Sequence, residues 1–161
     1  MTSHVALREV VNTVTPERIA NALRDMGYDR PRIGVAALNP HCGENGLFGD
    51  EEVTIVRSAI EKLRAEGIDA TGPISSDTIF LKAKPGEFHG VAMMCHDQEQ
   101  IATKLLGFNK GVTVTAGLRT VFTTPAHGTA FDILGQGKAD SGALEYAVRL
   151  AATLVEAASR Q

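Results

Sequence analysis

Three apolar runs, each too short for a helix, constrain this chain more than any other feature. They are residues 33–38 (IGVAAL), 91–94 (VAMM) and 112–115 (VTVT), and the first is bounded by Pro31 and Asn39-Pro40. Such runs read as strands buried on both faces. Around them lie stretches with helical punctuation. Thr15-Pro16-Glu17 supplies a hydroxyl cap, a proline at the first helical position and an acid in the first turn, so a helix should run to about Met26 and stop at Gly27. Asp50 opens a second helix that puts Val53, Val56, Ile60 and Leu63 on one face and ends at Gly67. Gly72-Pro73 reads as a turn, and Ser76-Asp77-Thr78 opens a short element after it. Residues 98–106 form a helix stopped by Gly107, residues 117–140 are mostly loop, and residues 141–158 form a long helix rich in alanine and leucine. Apolar-run strands alternating with helices predict an α/β fold, a mostly parallel sheet with flanking helices. Candidate chemistry then belongs at strand ends.

Composition narrows the partners. The 161 residues, 43% hydrophobic and 22% charged, are enough for one ordinary core. A formal charge of −3 carries no basic footprint for nucleic acid or an anionic membrane. Cys42 and Cys95 stand far apart with no CxxC spacing, which fits a reducing compartment. Met1-Thr2-Ser3-His4 does not read as a signal peptide, and no apolar run approaches the roughly 18 residues of a membrane span, so a cytoplasmic chain is expected. No repeat, linker or low-complexity segment interrupts it.

The chemistry-bearing residues gather near predicted strand ends. Met94-Cys95-His96-Asp97-Gln98 puts an imidazole beside a carboxylate after an apolar run, with Lys104 two helical turns on. Lys104 could hold an anionic substrate group or act as a general acid, although a lone lysine on a helix is usually solvated. Of the five histidines, His4, His41, His89, His96 and His127, three in polar loop contexts could share a divalent ion, and local hydrogen bonding is the plainer alternative. His89, in a turn after Phe88, reads as simply exposed. Cys42 and Cys95 each neighbour a histidine, but adjacent residues point apart, so they read as packing residues. Asp77 and Asp97 could orient histidines or ligate directly, and Asp77 serves equally well as a helix cap. NPHCGENGLFG is turn-rich without a phosphate-loop pattern. HGTAFDILGQGKAD lets backbone approach a ligand, with Asp132 placed to bond a ribose diol.

Taken together, TSHVALREV, LNPHCGENGLFG, GPISSDTIF, MMCHDQEQIATKLLGF, GVTVTAGL and TTPAHGTAFDILGQGKAD closely resemble the 4-hydroxythreonine-4-phosphate dehydrogenase family of vitamin B6 biosynthesis. The resemblance covers essentially the whole chain. It implies an isocitrate/isopropylmalate-dehydrogenase-like fold, a homodimer, and a divalent metal held by three histidines drawn from both subunits. His4, His41 and His96 match those ligands, and zinc, magnesium, manganese and cobalt all suit such a set. Asp77 and Asp97 match acids near the metal, and Lys104 matches a substrate lysine. His127, Gly128, Thr129, Ala130 and Asp132 match the adenosine side of the nicotinamide cofactor. The acid at Asp132 favours NAD over NADP, because a 2′-phosphate would meet its charge. The implied reaction is oxidation of a secondary alcohol followed by decarboxylation.

Three departures bear on the substrate and the assembly. Thr113 stands where the family has a substrate asparagine, and Phe122 stands where an arginine is expected, with Arg119 three residues earlier. A missing guanidinium removes a bidentate phosphate contact, so a related four-carbon sugar acid or a dihydrodiol carboxylate becomes an alternative substrate. Family members are about twice as long, and this chain matches their C-terminal half from the first metal histidine onward. Residues 1–161 should therefore leave a sheet edge and an apolar face uncovered, to be met by self-association or by a separate N-terminal-half chain. A non-catalytic metal- or nucleotide-binding remnant is the alternative to an enzyme.

Overall fold

The computed structural model describes residues 2–24 and 31–158. The chain divides into two compact units, Met1–Gln100 and Ile101–Gln161.

In the first unit a short helix α1 (Val10–Thr13) leads into α2 (Pro16–Arg24). Thr15 caps α2 as its sequence predicts, its Oγ1 accepting the Arg18 amide at 3.2 Å. The expected stop at Gly27 lies outside the described residues. Strand β1 (Arg32–Ala36) follows and is the centre of a parallel sheet in the order β2-β1-β3, with β2 (Asp69–Ile74) and β3 (Gly90–Ala92) at its edges. Side chains alternate across β1. Ile33 and Val35 join the layer built by Ile19, Leu23, Ile60 and Leu63, whereas Ala36 faces the other layer with Ile79 and Met93. Gly34 points to that second face, where a Cβ would sit 2.7 Å from the Phe88 ring.

The helix expected from Asp50 is present but begins with a π turn, Glu52–Val56, before regular α3 (Arg57–Ala65). That wider turn changes the phase of the apolar stripe. Val56, Ile60 and Leu63 are buried as expected, but Val53 is 45% exposed and Glu52 takes an inward place at 2%. The stop at Gly67 is a left-handed cap, with φ of 86° and the Ile68 amide bonding the Leu63 carbonyl at 3.0 Å.

Gly72-Pro73 is not a turn. It lies within β2, where the register against β1 slips between Gly34 and Ala36. Proline is tolerated there because β2 is an edge strand whose outer amides need no partner. Helix α4 (Ile79–Ala83) covers the second face, and α5 (His96–Gly107) starts two residues earlier than expected, taking in His96 and Asp97.

In the second unit, residues 112–115 do form a strand, β4 (Val112–Thr115), but it does not extend the parallel sheet. It pairs antiparallel with β5 (Phe122–Pro125), which occupies part of the expected loop. Helix α6 (Gly142–Ala158) packs on this hairpin through Ala143 and Ala147, and Thr123 Oγ1 donates to the Ala147 carbonyl at 2.9 Å. Among the described residues, no helix is long and apolar enough to cross a membrane.

Candidate functional site

The carboxyl ends of β1 and β3 deliver two histidine-bearing segments to one end of the parallel sheet. Beyond β3, the chain start is pinned alongside: the Thr2 amide and hydroxyl both donate to the Met94 carbonyl, at 3.2 and 2.8 Å. Thr2 is 2% exposed, so this anchor is internal. It brings His4, whose φ is 61°, opposite His96, with ring centroids 6.2 Å apart. A left-handed backbone at a non-glycine residue costs free energy and is commonest where side-chain placement matters. His96 Nδ1 lies 3.8 Å from a carboxylate oxygen of Asp97, and both side chains are solvent-accessible.

Beyond β1, the segment from Cys42 to Gly46 stays left-handed for five consecutive residues. His41 enters it with Nδ1 2.9 Å from Glu44 Oε1 and its ring 4.7 Å from that of Phe48. A carboxylate only accepts, so Nδ1 carries the proton and Nε2 is left available for an ion or substrate. Glu52 supports this loop from beneath. Its Oε1 accepts the Leu38 amide at 2.9 Å, while its buried Oε2 has no hydrogen-bond partner among the described residues and fills the space a Cβ on Gly43 would need. Burial pushes the Cys42 thiol above its ordinary value; the Glu52 carboxylate adds to the effect and Arg57 opposes it. The Cys42 Sγ donates to the Pro73 carbonyl at 3.7 Å.

Gln98 joins the two segments. Its Oε1 accepts the amides of Met94 and Cys95 at 3.1 and 3.4 Å, and its Nε2 donates to the carbonyls of Ala37 and Leu38 at 3.2 and 2.9 Å.

The structure thus brings His4, His96 and Asp97 together and places His41 on the adjacent loop. Among the described residues, no group of three His, Cys, Asp or Glu side chains could hold a metal ion. The donor types of the pair His4 and His96 suit a divalent ion, but its ring separation of 6.2 Å is slightly wider than one shared ion requires. A nitrogen about 2.1 Å from a divalent ion puts its ring centroid roughly 3.3 Å away, so two rings on one ion stand about 5–6 Å apart. Asp77 lies exposed before α4, and that helix has no side-chain cap, so the expected capping role is not realised. His89 is exposed as expected, yet its Nδ1 accepts the Arg32 amide at 3.0 Å.

In the second unit, Lys104 on α5, Thr113 on β4 and Arg119 between β4 and β5 are all exposed. His127, Gly128, Thr129 and Ala130 line a cavity of about 480 Å³ with Gly135 and Gly137. Ala130 is left-handed at φ 49°, and His127 Nδ1 bonds the Gly128 carbonyl at 2.8 Å. Asp132 sits on the same turn, outside that lining.

Sequence reasoning missed Glu44, Glu52 and Gln98. Glu44 was detectable as an acid three residues after a histidine. Gln98 was detectable as a glutamine at the third position of a helix, reaching back to the cap amide. Glu52 had no such signal, since an acid in a first helical turn is ordinarily solvated.

Known proteins resemble this chain in sequence and fold. The family profile described as pyridoxal phosphate biosynthetic protein PdxA matches residues 1–151. A 4-hydroxythreonine-4-phosphate dehydrogenase of Beijerinckia indica is 56% identical over 131 residues, covering 79% of this chain and 39% of that protein. A D-threonate 4-phosphate dehydrogenase of Salmonella typhimurium is 46% identical over 161 residues, covering 96% of this chain and 49% of that one. The crystal structure of a Klebsiella pneumoniae 4-hydroxythreonine-4-phosphate dehydrogenase superposes with a TM-score of 0.79 at 46% identity, over 92% of this chain and 47% of that chain. The chain spans about half the length of the curated relatives it matches. A mixed α/β fold, a matched profile over nearly its whole length and relatives well above a third identical place one conclusion beyond the individual site: this chain belongs to the PdxA family.

Proposed function

We propose that this chain is the C-terminal half of an NAD-dependent, divalent-metal-dependent dehydrogenase of isocitrate/isopropylmalate-dehydrogenase-like fold, cytoplasmic and working as a homodimer. The observation that carries the reading is the pinned pair His4 and His96 at the end of the parallel sheet, with His41 on the neighbouring loop. His4, His41 and His96 would hold the ion, with both protomers contributing. The cavity beside residues 127–130 would take the adenosine side of NAD, NADP being the other candidate, and Asp132 would bond its ribose. When bound, the two groups supply Lewis acidity at the substrate hydroxyl and a hydride acceptor. Asp97 orients His96, and Asp77 is the second acid of the set. Lys104 holds the substrate's anionic group or returns a proton, and Thr113 and Arg119 make the remaining substrate contacts.

The names of the relatives support a small phosphorylated hydroxy acid such as 4-hydroxythreonine 4-phosphate or D-threonate 4-phosphate. Thr113 and Phe122, in place of an amide and a guanidinium, favour a second reading with a dihydrodiol carboxylate. The half-length match favours a third, in which the chain is one subunit of a split enzyme or a non-catalytic binding remnant.

Elemental analysis and calorimetry with NAD on one preparation test the core of this. Near-stoichiometric metal, NAD binding, and much weaker metal binding in each of His4→Ala, His41→Ala and His96→Ala are expected. Full metal affinity in all three variants would sink the ligand assignment. NADH formation with each of the three substrates then separates the first two readings, and ligand binding without turnover of any supports the third.

A further inference from the structure

Every hydrogen-bonding position that the Gln98 amide offers in this geometry is directed at backbone, and at backbone of two different segments. Its oxygen takes the amides of Met94 and Cys95, the last two residues before His96. Its nitrogen gives to the carbonyls of Ala37 and Leu38, the last residues of the β1 run before Asn39-Pro40-His41. Leu38 is gripped from the other side as well, since its amide donates to the buried Glu52. A side chain that only closed the first turn of α5 would need the first pair of bonds and not the second. The second pair crosses about 60 residues of sequence, with separations of 61 and 60, and ties the two histidine segments at a fixed spacing.

We infer that Gln98 is a positioning residue that sets the spacing between the His41 loop and the His96 turn, so that both imidazoles are presented to metal together. This rests on the reading of those histidines as ligands. Gln98 touches neither ring in this role; it acts through the backbone that carries them. Groups that orient metal ligands from behind typically change metal affinity by about ten- to hundredfold when removed.

Cobalt(II) titration followed by its visible absorption tests the inference in Gln98→Ala and Gln98→Glu, alone and combined with His41→Ala. Gln98→Glu keeps the oxygen that serves Met94 and Cys95 and loses the donor to Ala37 and Leu38. Both single variants should bind cobalt about ten- to hundredfold more weakly, with a changed absorption band and a retained cooperative thermal transition. Adding either to His41→Ala should weaken binding little further, because the coupling runs through His41. Unchanged affinity in both single variants, or a full additional loss in the His41→Ala background, overturns the inference. Should the parent chain bind no cobalt, the ligand reading fails by itself, and the bridge is read by amide exchange in the metal-free chain. Faster exchange at Leu38 in Gln98→Glu, with Met94 and Cys95 still protected, then supports a coupling of the two segments, and exchange unchanged at Leu38 overturns it.

Discussion

In Met1–Gln100 the central strand is buried on both faces from Ile33 to Ala36, whereas in Ile101–Gln161 the buried hydrophobic side chains among the described residues are Ala143 and Ala147 alone. The first unit layers α2 and α3 on one face of its sheet and α4 on the other, so Ile33, Val35, Ile60 and Leu63 all reach 1% exposure or less. The second sets a two-stranded hairpin against one helix and leaves Leu105 84% exposed, Leu134 78% and Phe131 76%. A unit that small has little interior to offer, and its order leans on local hydrogen bonds such as those of Thr123, Asp140 and Ser141. The units therefore differ in what holds them. Burial dominates the first, and capping and pairing dominate the second.

The largest test of that difference is a pair of truncations. Leu63→Ala removes a fully buried side chain and should cost about 2–5 kcal/mol in urea unfolding. Leu105→Ala removes an exposed one and should stay within about 0.5 kcal/mol. Equal losses would break the comparison, because they would mean that the apolar side chains of the second unit are covered in solution by a second copy or another chain.

Two glycines sharpen it next. Gly43 and Gly137 both have left-handed backbone, with φ of 70° and 64°. A Cβ at Gly43 would meet Glu52 Oε2 at 2.7 Å, while nothing lies within 4 Å of one at Gly137. Gly137→Ala carries only the backbone penalty, about 1 kcal/mol. Gly43→Ala adds displacement of a buried carboxylate and should cost about 2–3 kcal/mol by the same denaturation. Similar values for both would show that the Glu52 contact is loose.

A smaller effect is expected at the start of α6. Asp140 accepts the Gly142 amide at 2.8 Å, and Ser141 donates to Glu145 at 2.8 Å. Asp140→Ala should cost about 1 kcal/mol, read as loss of helical circular dichroism in the less stable part of the melt. A loss spread evenly over the whole transition would mean that the two units unfold as one.

What the sequence made legible follows the same division. The strand at β1, the caps at Thr15 and Gly67 and the helix on Val56, Ile60 and Leu63 were readable because local pattern and tertiary burial agree there. Val53 misled because a π turn changes the phase of the stripe, and no periodicity argument carries that information. Gly72-Pro73 misled because the same dipeptide serves a turn and an edge strand, and only the pairing partner decides. In the second unit, VTVT identified a strand but not its sheet, since its partner at residues 122–125 has no apolar run of its own. At the candidate site the histidines were visible as residue types. Their grouping depends on Thr2 bonding Met94 and Gln98 bonding Ala37 and Leu38, contacts made across 60 to 92 residues.

The smallest expected effect isolates the first unit, because both cysteines, Cys42 and Cys95, belong to it. Burial holds the Cys42 thiol above its ordinary value near 9.0, with the Glu52 carboxylate adding to the shift against Arg57. The unfolded chain then gives up this proton at lower pH than the folded one. The stability tied to Cys42 is therefore fully present below the ordinary thiol value and is lost as pH rises through the folded one. Lysine and tyrosine titrate in the same window, so the informative quantity is the difference between the parent and Cys42→Ala. The urea midpoint of the parent should fall more steeply with alkaline pH, and thiol alkylation in a Cys95→Ser background should be slower folded than unfolded. Equal slopes with equally fast alkylation would mean that the loop over Glu52 opens freely. The first unit's tight packing would then end at the last residue of β1 and not extend under His41.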